Sequence, residues 1–289
     1  MRSNKSKGIL CILCSAFGFA SMSAFVRLAG DLPSMQKCFF RNFIAMIFAL
    51  VILLRSEEKL KWNHKNLPLL LMRALCGTVG LICNFYAIDH MVLSDASMLN
   101  KLSPFFAILF SFLLLHERIK PVQLAAILAA FGGALLIIKP TFALGGGSIA
   151  PFIGMLGGLG AGAAYTFVRI LGKRGERGPF IVFFFSAFSG LVTLPFFIFD
   201  FHPMTSFQLI ALLMAGLAAA LGQFSITAAY TFAPAREISI YDYTQVIFTA
   251  LYGFFLFGQV PDALSVLGYC IICGMSLLMF LYNRRQDAA

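Results

Sequence analysis

Residues 94–117 read SDASMLNKLSPFFAILFSFLLLHE. The stretch is long enough to cross a bilayer core of about 30 Å, yet it carries Asp95, Ser97, Asn100, Lys101 and Pro104. Ser97, Asn100, Lys101 and Pro104 recur at i, i+3, i+4 and i+7, which puts them on one helical face. That face cannot point at lipid. The same kind of stretch returns 142 positions later, at 236–259, as REISIYDYTQVIFTALYGFFLFGQ, with Asp242 and Tyr243 where the first copy has Asn100 and Lys101.

Working outward, the shift of 142 residues aligns the two halves of the chain without a gap. Gly18, Phe25-Val26-Arg27 and Gly30 fall on Gly160, Phe167-Val168-Arg169 and Gly172; Gly80 falls on Gly222 and Ser97 on Ser239. Ten apolar stretches are long enough to span, at about 8–29, 36–54, 67–89, 93–115, 121–139, 150–171, 179–198, 206–232, 235–257 and 262–282. The expected fold is therefore an all-α membrane protein of ten transmembrane helices in two five-helix repeats, residues 1–143 and 149–289, joined near the GGGS at 145–148. Five crossings is an odd number, so the second copy enters from the opposite face. This predicts an inverted pair, an arrangement common in secondary transporters.

Composition agrees. The chain has 289 residues, 60% hydrophobic and 12% charged, with 33 phenylalanines, which is too little polar surface for a soluble domain. Its formal charge of +10 would suit nucleic acid or anionic lipid, but positive-inside loops account for it, so no nucleic-acid partner is expected. With the N-terminus inside, 15 of the 22 Lys and Arg fall on cytoplasmic segments, and only Lys37 and Lys139 on outer loops. Both termini are then cytoplasmic. The basic start MRSNKSK resembles a signal peptide, but the apolar run after it is too long for one and has a repeat partner, so it is read as a retained first span. Seven cysteines inside apolar segments give no disulfide framework, and the CxxC pairs Cys11/Cys14 and Cys270/Cys273 read as small apolar filler.

Five cations lie within spans. Arg27 and Arg169 are close to helix ends, where a long side chain reaches the headgroups. Arg41, Arg73 and Lys101 are deeper, about 5–7 Å from the midplane at 1.5 Å per residue. Facing lipid, each would cost about 2.5–3.5 kcal/mol, so they should line protein or a wet cavity. Asp242 is the one acid of comparable depth, which leaves two positive charges for an anionic group on a bound solute. Asp242 itself suits either proton coupling or a salt bridge to Lys101 or Arg73. Asn84, Tyr86, Asn100, Gln223, Tyr230, Tyr241, Tyr243, Thr244 and Gln245 concentrate further polar groups on spans three, four, eight and nine. Gly154, Gly158 and Gly162 form a ladder that permits close helix approach. No zinc-peptidase, Ser-His-Asp or P-loop pattern is present, and His64, His90, His116 and His202 sit at loops or span ends. No metal, cofactor or catalytic group is expected.

Tyr86-Ala87, Ala96, Pro104 and Leu115-His116-Glu117-Arg118 in the first half, and Ala229-Tyr230, Asp242-Tyr243-Thr244, Gly253 and Phe257-Gly258-Gln259 in the second, resemble the drug/metabolite transporter superfamily in its EamA-type ten-span branch. Gln259 stands where the family usually has Glu. The Arg73-x-x-x-Gly77 entry to span three, with the polar fourth span, is similar to the S-adenosylmethionine-uptake and riboflavin-uptake groups. The resemblance implies cytoplasmic termini, a multi-pass plasma (inner) membrane protein, a central cavity and a small-molecule metabolite as cargo. Arg41, Arg73 and Lys101 are then expected to hold the anionic group, with Tyr86, Asn100, Tyr241, Asp242, Tyr243 and Gln245 shaping the pocket. A passive pore would need a polar lining through every layer, which the apolar run 105–115 opposes. An intramembrane aspartyl enzyme would need a second aspartate in a GxGD setting, and a non-transporting scaffold leaves the deep cations unexplained.

Overall fold

In hydrocarbon every backbone N–H and C=O must find its partner within its own segment, so apolar runs of this length fold as helices. The computed structural model describes residues 2–56, 61–115, 119–139, 149–232 and 239–286, and among them every regular element is helical. The elements are α1 (Arg2–Leu28), α2 (Ser34–Arg55), α3 (Leu67–His90), α4 (Leu93–Asn100), α5 (Ser103–Leu115), α6 (Pro121–Ile138), α7 (Ala150–Lys173), α8 (Gly178–Phe199), α9 (Ser206–Phe232), α10 (Thr244–Phe257) and α11 (Ala263–Gln286). Short 3₁₀ turns at His64–Asn66 and Ser239–Tyr243 lead into α3 and α10. Among the described residues nine helical stretches are long and apolar enough to cross a membrane, α4 and α5 together making one of them. The tenth crossing is the turn Ser239–Tyr243 with α10. The GGGS joint, His116-Glu117-Arg118 and Arg236 lie outside the described residues.

The expected continuous fourth and ninth spans are both interrupted, at matching places in the two repeats. Pro104 has no N–H to give the carbonyl of Asn100, and its ring crowds that carbonyl. The helix therefore stops at Asn100 and restarts at Ser103. In the second copy the chain is 3₁₀ through Ser239–Tyr243 before α10 begins.

Packing between the repeats is two-fold. α1 lies along α9 as α7 lies along α3; α1 meets α10 as α7 meets α4 and α5; α2 touches α9 as α8 touches α3; and α2–α8, α6–α11 and α4–α10 are pairs of equivalents. Every such contact recurs with the repeats exchanged, as an isologous axis requires. With five crossings per repeat, that axis lies in the membrane plane. Equivalent glycines make the tightest crossings. A Cβ on Gly18 would stand 2.7 Å from the Gly222 nitrogen, and one on Gly160 would stand 2.7 Å from the Gly80 Cα. A separate face of α7 carries the glycine ladder: Gly158 abuts the Leu99 carbonyl and Gly162 the Ser103 carbonyl, one on each side of the break in the fourth span.

Two cations, Arg27 and Lys37, sit differently from expectation. Arg27 does not reach for headgroups. Its Nη1 donates to the Ile88 and Met91 carbonyls at 2.5 Å each, meeting the unpaired C-terminal carbonyls of α3 where a positive charge is also favoured. Lys37, expected in a loop, is fully buried in α2 and pairs with Asp89 at 2.6 Å. Lys139 pairs with Asp262, and that hydrogen bond holds the Asp262 carboxyl below the usual carboxylate range.

Candidate functional site

The two interrupted spans face each other across the axis. Asn100 and its repeat equivalent Asp242 both line a cavity of about 120 Å³, and so do the equivalent pairs Leu81/Gln223 and Asn84/Ile226. The cavity therefore straddles the two-fold axis, but its chemistry is not two-fold. Every cation in it comes from the first repeat and its carboxylate from the second. Lys101 forms an ion pair with Asp242. The Tyr243 hydroxyl donates to the Lys101 carbonyl at 3.1 Å, closing one backbone group at the break, and itself accepts from Ser276.

Arg41 and Arg73 line the same cavity. Their relative exposures are 5% and 6%, and neither forms an ion pair with any described residue. Arg41 donates to Asn42 Oδ1 at 2.7 Å, and Asn42 is fixed in turn by Ser189 at 2.8 Å. Arg73 lies over the Phe185 ring with its Cζ 3.9 Å from the centre, and Arg41 approaches the same ring at 5.6 Å. Both Nε atoms are buried without a partner. A stack of this kind contributes about 2 kcal/mol or somewhat more when desolvated, against the several kcal/mol per ion that burial costs after relaxation. The side chains lining the cavity are thus short of negative charge by two.

A second cavity, about 510 Å³ and mostly apolar, shares Asn100, Lys101, Tyr165, Ile226 and Asp242 with the first. It extends past Pro104, Val168, Arg169 and Phe280, toward the face where α5, α7 and α11 end. The Lys101–Asp242 pair stands in the throat between the two. Removing one member of a buried pair costs about 3–5 kcal/mol because the other charge is left stranded. Lys101→Ala is accordingly expected to destabilise the protein by that amount, and Lys101→Ala/Asp242→Asn to recover most of it. Thermal unfolding in detergent reads both; equal losses in the single and double variants would contradict the pairing.

Of the residues singled out in the sequence, Arg41, Arg73, Asn100, Lys101, Asp242 and Gln245 converge on the first cavity, together with Asn84 and Gln223. Tyr243 lines the second. Tyr86 stands elsewhere, stacked on His90 with ring centroids 4.1 Å apart, in a separate cavity at the loop between α1 and α2. Tyr241 lines neither central cavity, and its carbonyl accepts from Thr244. The Tyr230 side chain is outside the described residues. Gln259 acts locally: its Oε1 accepts the Leu93 N–H at 3.0 Å and caps the start of α4. Sequence reasoning missed Tyr165, shared by both cavities, and Phe185, the ring under the arginines. Tyr165 sits three residues after Gly162 of the ladder, which was a usable signal; Phe185 is one phenylalanine among 33.

A family model described as the EamA-like transporter family matches residues 6–139 and again 149–281. The pseudopaline exporter CntI of Pseudomonas aeruginosa (strain UCBPP-PA14) is 36% identical over 267 residues, covering 92% of this chain and 93% of the relative. A riboflavin transporter of Brucella anthropi is 25% identical over 283 residues, 95% and 96% of the two chains. A solved crystal structure shares the fold, with a TM-score of 0.66 at 16% identity over 98% of this chain and 99% of that one.

Proposed function

This chain belongs to the EamA-like transporter family, and from that premise we propose that it is a secondary transporter moving a small polar organic metabolite with an anionic group across the plasma membrane by alternating access. The observation that carries the reading is the pair of buried arginines, Arg41 and Arg73, facing a cavity without a carboxylate of their own. Buried cations of that kind persist where a compensating charge visits. The solute's anionic group meets Arg41 and Arg73, with Lys101 within the same cavity. Asn100 and Gln245 supply donors and acceptors beside it. In our reading both termini are cytoplasmic, on the strength of the Lys and Arg count, and each of the stretches 1–143 and 149–289 is one repeat.

Asp242 couples the cycle to protons in this proposal. Protonation of its carboxyl releases Lys101, whose ammonium then serves the solute; loss of the proton restores the pair and expels the charge. Of the relatives, one exports pseudopaline and another transports riboflavin, so they support the transporter class and leave the cargo to the arginines. The test is reconstitution in liposomes with a screen of labelled metabolites. A carrier gives saturable, trans-stimulated flux, whereas a pore gives flux linear in concentration. Asp242→Asn is expected to abolish the response of flux to an imposed pH gradient; a variant as responsive as the parent removes the coupling role.

A further inference from the structure

The central cavity is built for more than one negative charge. Its ionic side chains are Arg41, Arg73, Lys101 and Asp242. With Asp242 ionised, as in the paired state, the last two neutralise each other, and arginine stays protonated in proteins. Two positive charges remain. Resting on the anion-transport reading above, we infer that the solute carries a dianionic head group, two carboxylates or one phosphate monoester, seated between Arg41 and Arg73.

Three features make this a prepared receptor. Both guanidiniums approach one ring, that of Phe185, so they share one end of a small cavity. Each is held there by a neutral device: Arg41 by Asn42, which is itself tied to Ser189 and the Cys38 carbonyl, and Arg73 by a slot that Gly77 leaves open. A Cβ at Gly77 would stand 2.5 Å from Arg73 Nη1 and 3.0 Å from the Phe185 ring. Any larger residue one turn after Arg73 would push the guanidinium off the ring. Finally, each arginine has a buried Nε with nothing to donate to, so both retain unused hydrogen-bonding capacity. A monoanion would satisfy one fork and leave the other charge uncompensated in a poorly solvated place. The cavity's 120 Å³ fits a head group alone, and the body of the solute has the adjoining 510 Å³ beyond the Lys101–Asp242 throat.

Matched probes test the charge. Succinate against butyrate, and methyl phosphate against dimethyl phosphate, are titrated into the purified full-length protein at mildly alkaline pH and constant ionic strength, with binding read as thermal stabilisation. The dianion of a pair is expected to bind about ten-fold or more tightly than its monoanion, the worth of one further charged hydrogen bond. Succinate as the stronger dianion assigns a dicarboxylate head, and methyl phosphate a phosphate. Arg41→Gln and Arg73→Gln should each erase the preference, bringing the ratio close to one, while Arg73→Lys, which keeps the charge, retains it. Equal binding of both members by the parent, weakened alike by either Gln variant, sinks the dianion and leaves the anion site standing. If no probe stabilises the parent, or the Gln variants bind as it does, the anion site goes as well.

Discussion

Replacing Gly160 by leucine is expected to leave almost no folded protein to purify. The atoms that a Cβ there would strike are backbone: the Gly80 Cα at 2.7 Å, the Cys76 carbonyl at 2.8 Å and the Gly80 nitrogen at 2.9 Å. None can swing aside, so α7 and α3 have to part along their whole crossing. In a bilayer the loss is not offset by hydrophobic burial, because close van der Waals contact is what holds such helices together. Even Gly160→Ala should cost about 1–3 kcal/mol. Gly18 predicts the same result for α1 against α9, where Gly222 is the neighbour. Gly190→Leu is the control, since nothing lies within 4 Å of its Cβ position. Size-exclusion profiles and thermal unfolding separate the cases: Gly160→Leu and Gly18→Leu aggregate, and Gly190→Leu behaves as the parent. A monodisperse Gly160→Leu protein with an unchanged melting temperature would show that α3 and α7 do not cross as described.

The architecture was legible in the sequence, because it depends on features one strand of text displays. Equivalent residues recur at a spacing of 142, and the four glycines of the two tight crossings are two pairs under that shift. The broken fourth span was half legible. Pro104 and the polar face are visible in the sequence, whose apolar length nonetheless predicts one continuous span over 93–115; the stop at Asn100 follows from the proline's missing N–H, and α7 packs its glycines on both sides of it. Side-chain destinations were the weakest part. Tyr86 and Asn84 are two residues apart on α3, yet only Asn84 reaches the central cavity. Residues two apart stand on opposite faces of a helix, so one cavity can take only one of them, and helix rotation, set by packing, decides which. Arg27 looked like a headgroup anchor by depth alone, whereas its partners are the carbonyls ending a different helix. Long-range partnership of this kind leaves no local trace.

The second large effect concerns Arg73 and Arg41. Each hydrogen bond to a charged group contributes about 1.5–3 kcal/mol, so truncating one arginine should weaken the anionic solute by about 10- to 150-fold. The fold should tolerate the change well. Both guanidiniums face a cavity, their losses are a ring contact and one bond to Asn42, and removal of an uncompensated buried cation relieves a desolvation cost. Arg73→Ala and Arg41→Ala are thus expected to unfold at or above the parent's temperature and yet fail to transport. This separation of stability from function distinguishes a solute site from a structural cation, whose loss lowers both.

The most direct measurement is solute counterflow in proteoliposomes, comparing the parent with Arg41→Ala/Arg73→Ala at equal amounts of monodisperse protein. The parent should accumulate a labelled anionic metabolite against its unlabelled form in a saturable way, and the double variant should fall to the level of empty liposomes. Counterflow by the double variant at the parent's rate would mean that the charge those two side chains hold in the middle of the membrane is not what the cargo answers to.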